Sequence, residues 1–110
     1  MNDVVLVLST APVAPGNDTA EQIARTLIDE RLAACVNIHA PMVSIYRWKG
    51  AVERDSECQL VIKTTRSSLP ALEKRFRELH PYELPEFIVV AASGGGEKYL
   101  AWVAEAVANA

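Results

Sequence analysis

The chain opens with an unbroken aliphatic run, Val4-Val5-Leu6-Val7-Leu8, which predicts a strand. Two prolines and a glycine between Ala11 and Asn17 predict a loop. The period then changes. Ala20, Ile23, Ala24, Leu27, Ile28 and Leu32 recur at helical spacing, with Glu21, Gln22, Arg25 and Asp29 on the opposite side. Asp18, with Glu21 three residues on, is placed to cap that helix. Two long strand-like segments follow, Cys35 to Trp48 and Val52 to Thr65. Lys49-Gly50 between them predicts a hairpin turn in which Gly50 takes the permissive dihedral. In the second segment Cys58, Leu60 and Ile62 alternate with Glu57, Gln59 and Lys63, as in a half-buried strand. Pro41, in the first segment, predicts a bulge or an edge position.

A second helix is predicted from Ser67 or Ser68 as cap, with Pro70 in its first turn and Leu69, Leu72, Phe76 and Leu79 as its apolar face. His80-Pro81 ends it, because a residue before proline avoids the helical region. Tyr82 to Glu86 is expected to be extended and Phe87 to Ala92 a buried strand. Gly94-Gly95-Gly96 forms a joint, and Tyr99 to Val107 a last amphipathic helix. This order is a split βαβ unit used twice, so the fold expected is α+β: a ferredoxin-like βαββαβ sandwich with an additional C-terminal helix and a long β-hairpin. Right-handed crossovers place the two main helices on one sheet face. Yet Val4 to Leu8 and Phe87 to Val90 show no polar alternation, which means burial on both faces. A second copy of the same sheet is the expected cover.

Length and composition narrow the function. The chain has 110 residues, enough for one domain over 1–110 with a single core. Its formal charge of −3 argues against a nucleic-acid surface. The N-terminus lacks the basic start and long apolar stretch of a signal peptide, and no apolar run approaches a membrane span. The expectation is a cytoplasmic protein, with no nucleic-acid or membrane partner. Cys35 and Cys58 fit a reducing compartment. About six residues of strand separate them in the hairpin register, roughly 20 Å, so no disulfide is expected between them.

Several stretches carry a resemblance: Ala33-Ala34-Cys35-Val36-Asn37-Ile38, Ser44-Ile45-Tyr46-Arg47-Trp48-Lys49-Gly50, Ile62-Lys63-Thr64, His80-Pro81-Tyr82-Glu83-Leu84-Pro85-Glu86, and Tyr99-Leu100 followed by Trp102. Together they closely resemble the CutA divalent-cation-tolerance family, from about the first strand to the last helix. The resemblance implies a ferredoxin-like homotrimer and a link to divalent-metal tolerance, with binding of copper or another divalent cation proposed for some members and no biochemical function defined across the family. Some relatives carry a cysteine just before the Thr-Ala-Pro of the first strand and a His-His pair before Pro-Tyr, positions linked to copper. Those positions correspond here to Ser9, Leu79 and His80, so only His80 remains as a metal ligand.

The candidate chemistry is sparse. His80, Glu83 and Glu86 are three residues apart, about 10 Å in an extended chain, so a metal site there needs completion by another subunit. Gly94-Gly95-Gly96 lacks the lysine and spacing of a phosphate loop. Cys35 with His80 could make a nucleophile and base, but no oxyanion or orienting group accompanies them. No enzymatic activity and no firm cofactor are expected. The candidates for an inter-subunit cleft are Cys35, Tyr46, Trp48, Lys63, His80, Tyr82, Glu83 and Glu86. Trp48, at the hairpin tip, is expected to anchor on a neighbouring subunit. The leading expectation is a homotrimeric divalent-cation (copper) tolerance protein, by weak metal binding or as a scaffold. The alternative is a trimeric small-molecule sensor of the PII type, holding a small anionic ligand between subunits through the aromatic residues and Lys63.

Overall fold

Strand β4 (Ala51–Thr65) organises the sheet, because every other strand but one pairs with it directly. The computed structural model describes residues 2–108; Met1, Asn109 and Ala110 of the expected 1–110 domain lie outside them. β1 (Val4–Pro12) pairs antiparallel with β4 on one side and with β5 (Ile88–Ala91) on the other. Across β4 lie β2 (Cys35–Ile38) and then β3 (Met42–Trp48), also antiparallel. The order β2-β4-β1-β5, with α1 (Thr19–Asp29) and α2 (Leu69–Leu79) as crossovers, is the ferredoxin-like arrangement expected. No helix among the described residues is long and apolar enough to cross a membrane.

The hairpin turn is where the sequence placed it. Trp48 faces Ala51, and Lys49 (φ 49°) and Gly50 (φ 84°) are both left-handed, the two-residue turn whose twist matches its strands. Pro41 lies in a bulge. The His39 amide donates to the Gln59 carbonyl, while Met42 faces Glu57, so Ala40 and Pro41 together stand opposite Cys58. This splits the expected Cys35–Trp48 segment into β2 and β3. Cys35 faces Lys63, one residue from the expected Thr64, and both cysteines are free thiols.

Three local readings are corrected. β1 runs through Ala11 to Pro12, because β4 offers a paired partner as far as Glu57. Asp18 does not cap α1 with its side chain; Asn17 Oδ1 takes the Thr19 amide, and Asp18 Oδ1 accepts from Gln22 Nε2. α1 also stops at Asp29, earlier than its apolar pattern suggested. Arg31 turns left-handed (φ 59°), the Arg31 amide donates to Ile28 and the Leu32 amide to Leu27, the two bonds of a Schellman ending. Ile28 is left exposed, and Leu32 packs beyond the helix rather than on it.

The core lies between α1, α2 and the sheet face bearing Val7, Ala11, Leu60 and Ile62, with Ile23, Leu27, Leu72 and Phe76 from the helices. The opposite face is not bare, contrary to the expectation that helices cover one face only. α3 (Glu97–Ala106) lies against β4 and β1, with Val103 fully buried. The Lys63 ammonium sits 5.8 Å from the Tyr99 ring centroid, and Lys63 alternates with core-facing Ile62, which places α3 on that second face. α3 closes only one end of it. β5 stays open, with Ile88, Val89 and Val90 all exposed, and the hairpin arm exposes Val43, Ile45 and Val52. Beyond Glu57 the β4 arm has no β1 partner for six residues, roughly 20 Å, so the arm projects as the strand lengths implied.

Candidate functional site

The second sheet face carries different chemistry at its two ends. At the α3 end, Cys35, Lys63 and Leu6 share one row. Six residues further along β4, Glu57 begins the hairpin arm, about 20 Å away. There the segment from His80 to Phe87 leaves α2 and crosses beside the arm, and a cleft of about 940 Å³ opens between them.

This segment is pinned at four places. His80 is buried, its Nε2 lies 2.7 Å from the Thr10 carbonyl, and its Nδ1 accepts the Tyr82 amide at 3.1 Å. Acceptance at Nδ1 leaves Nε2 as the protonated nitrogen, donating to Thr10, so both ring nitrogens of a neutral imidazole are in use. Burial pushes the His80 pKa below that of free histidine, partly offset by the Thr10 bond and the Glu57 charge. Tyr82 donates its hydroxyl to Glu57 Oε2 at 2.8 Å. The Ser9 hydroxyl donates to the Glu86 carbonyl at 2.6 Å. Lys49 pairs with Glu83 at 3.6 Å, tying the hairpin turn to the segment.

Carboxylates and aromatic rings both line the cleft. Glu57 is only 6 % exposed. Its alternation with Cys58 had placed it on the solvent side; the Pro81–Phe87 segment buries it, and Tyr82 supplies its donor. Tyr46 donates to Asp55, the diagonal neighbour across the hairpin, and that bond, then burial and nearby carboxylates, pushes the Tyr46 pKa up to about 12. Burial, and then the Glu57 bond, also raises the pKa of Tyr82. Glu86 is half-buried, and burial and the Glu57 charge raise its pKa.

Of the eight cleft candidates, the fold gathers Tyr46, Trp48, Tyr82, Glu83 and Glu86 around this cleft. His80 lies beneath as a buried support. Cys35 and Lys63 are not there; β-pairing places them at the α3 end. Trp48 is half-buried beside its own Pro81–Leu84 segment. Asp55, Glu57 and Thr10 belong to the cleft and were not singled out from sequence. Glu57 and Asp55 look like ordinary exposed strand positions until the distant segment folds over them. A signal was nonetheless present in the second tyrosine at Tyr82, within a turn holding two prolines.

The residues do not fit a metal centre within one chain. Ser9 is buried and hydrogen-bonded to the Glu86 backbone, His80 has no free lone pair, and Glu83 is ion-paired. Among the described residues no three His, Cys, Asp or Glu side chains are arranged to hold an ion. A Cys35–His80 dyad does not form either. His80 bonds at Thr10, four residues along β1 from Leu6, whose row holds Cys35, a separation of about 13 Å along the strands alone.

Comparison with known proteins gives one consistent answer. Residues 5–106 match the CutA1 divalent ion tolerance protein family. A divalent-cation tolerance protein CutA from Thermus thermophilus is 43% identical over 105 residues, covering 96% of this chain and 97% of that protein. A chloroplastic protein CutA from Arabidopsis thaliana is 39% identical over 95 residues; they make up 86% of this chain but 52% of that longer protein. The crystal structure of CutA from Xylella fastidiosa superposes with a TM-score of 0.89 at 45% identity, covering 96% of this chain and 99% of that one.

Proposed function

Because the chain belongs to the CutA1 divalent ion tolerance family, we propose that it serves divalent-cation tolerance as a homotrimeric scaffold that binds rather than catalyses. The observation that carries the assembly is the exposed apolar β5, with Ile88 at 51 % exposure, together with a projecting arm whose Ile45 reaches 70 %. Exposed apolar strands with unpaired edges favour pairing with another copy, and copies joined head to tail close into a ring. The family resemblance supplies the number three. Trp48, beside the arm tip, is available to a neighbour in such a ring.

Metal contact in this reading is weak. Coordination at His80 Nδ1 requires loss of the Tyr82 amide bond, and Ser9 and Leu79 stand where some relatives carry soft or imidazole ligands. A binding role also suits Cys58, since burial raises its pKa, the reverse of nucleophile activation. The anion-sensor alternative loses its lysine, which lies under Tyr99. We place the protein in the cytoplasm on its two free cysteines; the plant relative named as chloroplastic shows that the family's compartment varies.

The test joins assembly to phenotype. Wild-type protein should sediment as a trimer at low concentration and restore growth in elevated copper or zinc to cells lacking their own copy. Val90→Lys, on exposed β5, should give a smaller folded species that fails to restore growth. A well-folded wild-type monomer, or full rescue by the dissociated variant, would overturn the proposal.

A further inference from the structure

The two faces of the hairpin arm carry opposite charge. Strand pairing puts Glu53, Asp55 and Glu57 of β4 on one face with Tyr46 of β3. Val43, Ile45 and Arg47 share the other face with Arg54 and Val52. Every acidic residue of the arm's strands is therefore on one face, and both arginines are on the other. We propose that the basic face of one copy's arm seats on the acidic cleft of the next copy, with Arg54 bringing positive charge to the next copy's Asp55 and Glu86. Both surfaces belong to the head-to-tail assembly proposed above, on which this contact rests.

The basic face is uncovered in the single chain. Ile45 is 70 % and Val52 64 % exposed, and Val43 is exposed beside them. Ile45 faces Arg54 and Val52 faces Arg47, so each arginine stands directly across from an aliphatic side chain. Neither arginine has an ion pair among the described residues. Ile45 and Arg47 also border the chain's own cleft, but Val43, Val52 and Arg54 take no part in lining it. Exposed aliphatic side chains rimmed by charge mark a protein contact.

The cleft offers the matching surface. Asp55, Glu57, Glu83 and Glu86 line it, and among the described residues only Glu83 has an ion pair, to Lys49. Burial and the Glu57 charge raise the Glu86 pKa, as expected of a carboxylate short of positive charge. Asp55 takes one hydrogen bond, from Tyr46, and keeps lone pairs for a guanidinium. Leu84 and Ile88 line the same cleft and are exposed, so incoming aliphatic side chains meet apolar surface there.

The signs also select how copies meet. A twofold contact through the basic face would set Arg47 and Arg54 against like charges, and one through the cleft would set acid against acid. Contact between unlike faces brings opposite charges together. Such contact is heterologous, the kind that closes into a ring.

Charge reversal tests the contact. Mixing isotope-labelled with unlabelled protein and following mixed oligomers by native mass spectrometry gives the rate at which copies exchange. Loss of a charge pair at a contact acts mainly on that dissociation rate. Arg54→Glu and Glu86→Arg should each speed exchange at least about tenfold. The double variant should recover most of the loss, because it restores unlike charges at every contact. Arg54 is exposed, so its reversal leaves the fold of the chain intact; Asp55→Arg replaces Glu86→Arg if the latter unfolds by circular dichroism. Unchanged exchange in the folded single variants, or additive effects in the double variant, would overturn this contact and leave the ring standing. Wild-type protein that stays monomeric at every concentration would overturn the ring and the contact together.

Discussion

The Tyr82 hydroxyl lies 2.8 Å from Glu57 Oε2, joining the segment after α2 to the middle of the longest strand across 25 positions of sequence. Among the described residues it is the one side-chain hydrogen-bond donor to a carboxylate that is almost wholly buried. Removing a donor from a buried charged acceptor costs about 1.5–3 kcal/mol. Tyr82→Phe should therefore lower unfolding stability by that amount in guanidinium titration at fixed protein concentration. Adding Glu57→Gln should recover part of the loss by removing the stranded charge. A change in Tyr82→Phe no larger than a typical surface substitution, about 0.5 kcal/mol, would show that water replaces the hydroxyl.

His80 makes stability depend on pH in a defined window. Its folded pKa is lowered, chiefly by burial, while the unfolded chain has the ordinary value of about 6.5. Above that value both states hold a neutral imidazole and its contribution is fully present. As pH falls below about 6.5 the unfolded chain takes up a proton that the folded chain resists, so stability declines toward the folded pKa. Urea midpoints measured between neutral and mildly acidic pH should fall in the wild type. The slope should be shallower in His80→Gln, and equal slopes in the two proteins would refute the assignment.

Arg31 ends α1 with a left-handed backbone that a side chain disfavours by about 1 kcal/mol. Arg31→Gly keeps the Schellman bonds and relieves that strain, so the thermal midpoint should rise. A lower midpoint would mean that the arginine side chain contributes more than its backbone loses.

The two thiols should differ sharply toward a thiol-reactive disulfide reagent. Cys35 is half-buried on edge strand β2, whereas Cys58 is buried and burial raises its pKa. One equivalent should react quickly in native protein and the second only on unfolding, with Cys35→Ser removing the fast phase. Fast reaction of Cys58 in the folded chain would contradict its placement in the core.

Much of the architecture was determined by local pattern. The alternation Cys58, Leu60, Ile62 marks the core face of β4, Lys49-Gly50 sets the hairpin, and His80-Pro81 stops α2 where the chain does stop. Pro41 also marked its bulge. These signals are legible because each depends on neighbours within a few residues: side-chain period, allowed φ, or a missing amide. Four features were decided only by tertiary structure. α3 crosses to the second sheet face, β1 extends through Pro12 along β4, Glu57 is buried, and Lys63 is separated from the tyrosines it was grouped with. Each depends on which distant segment covers a surface. A glutamate in a strand reads as exposed until a tyrosine 25 residues later donates to it, and no local period carries that information.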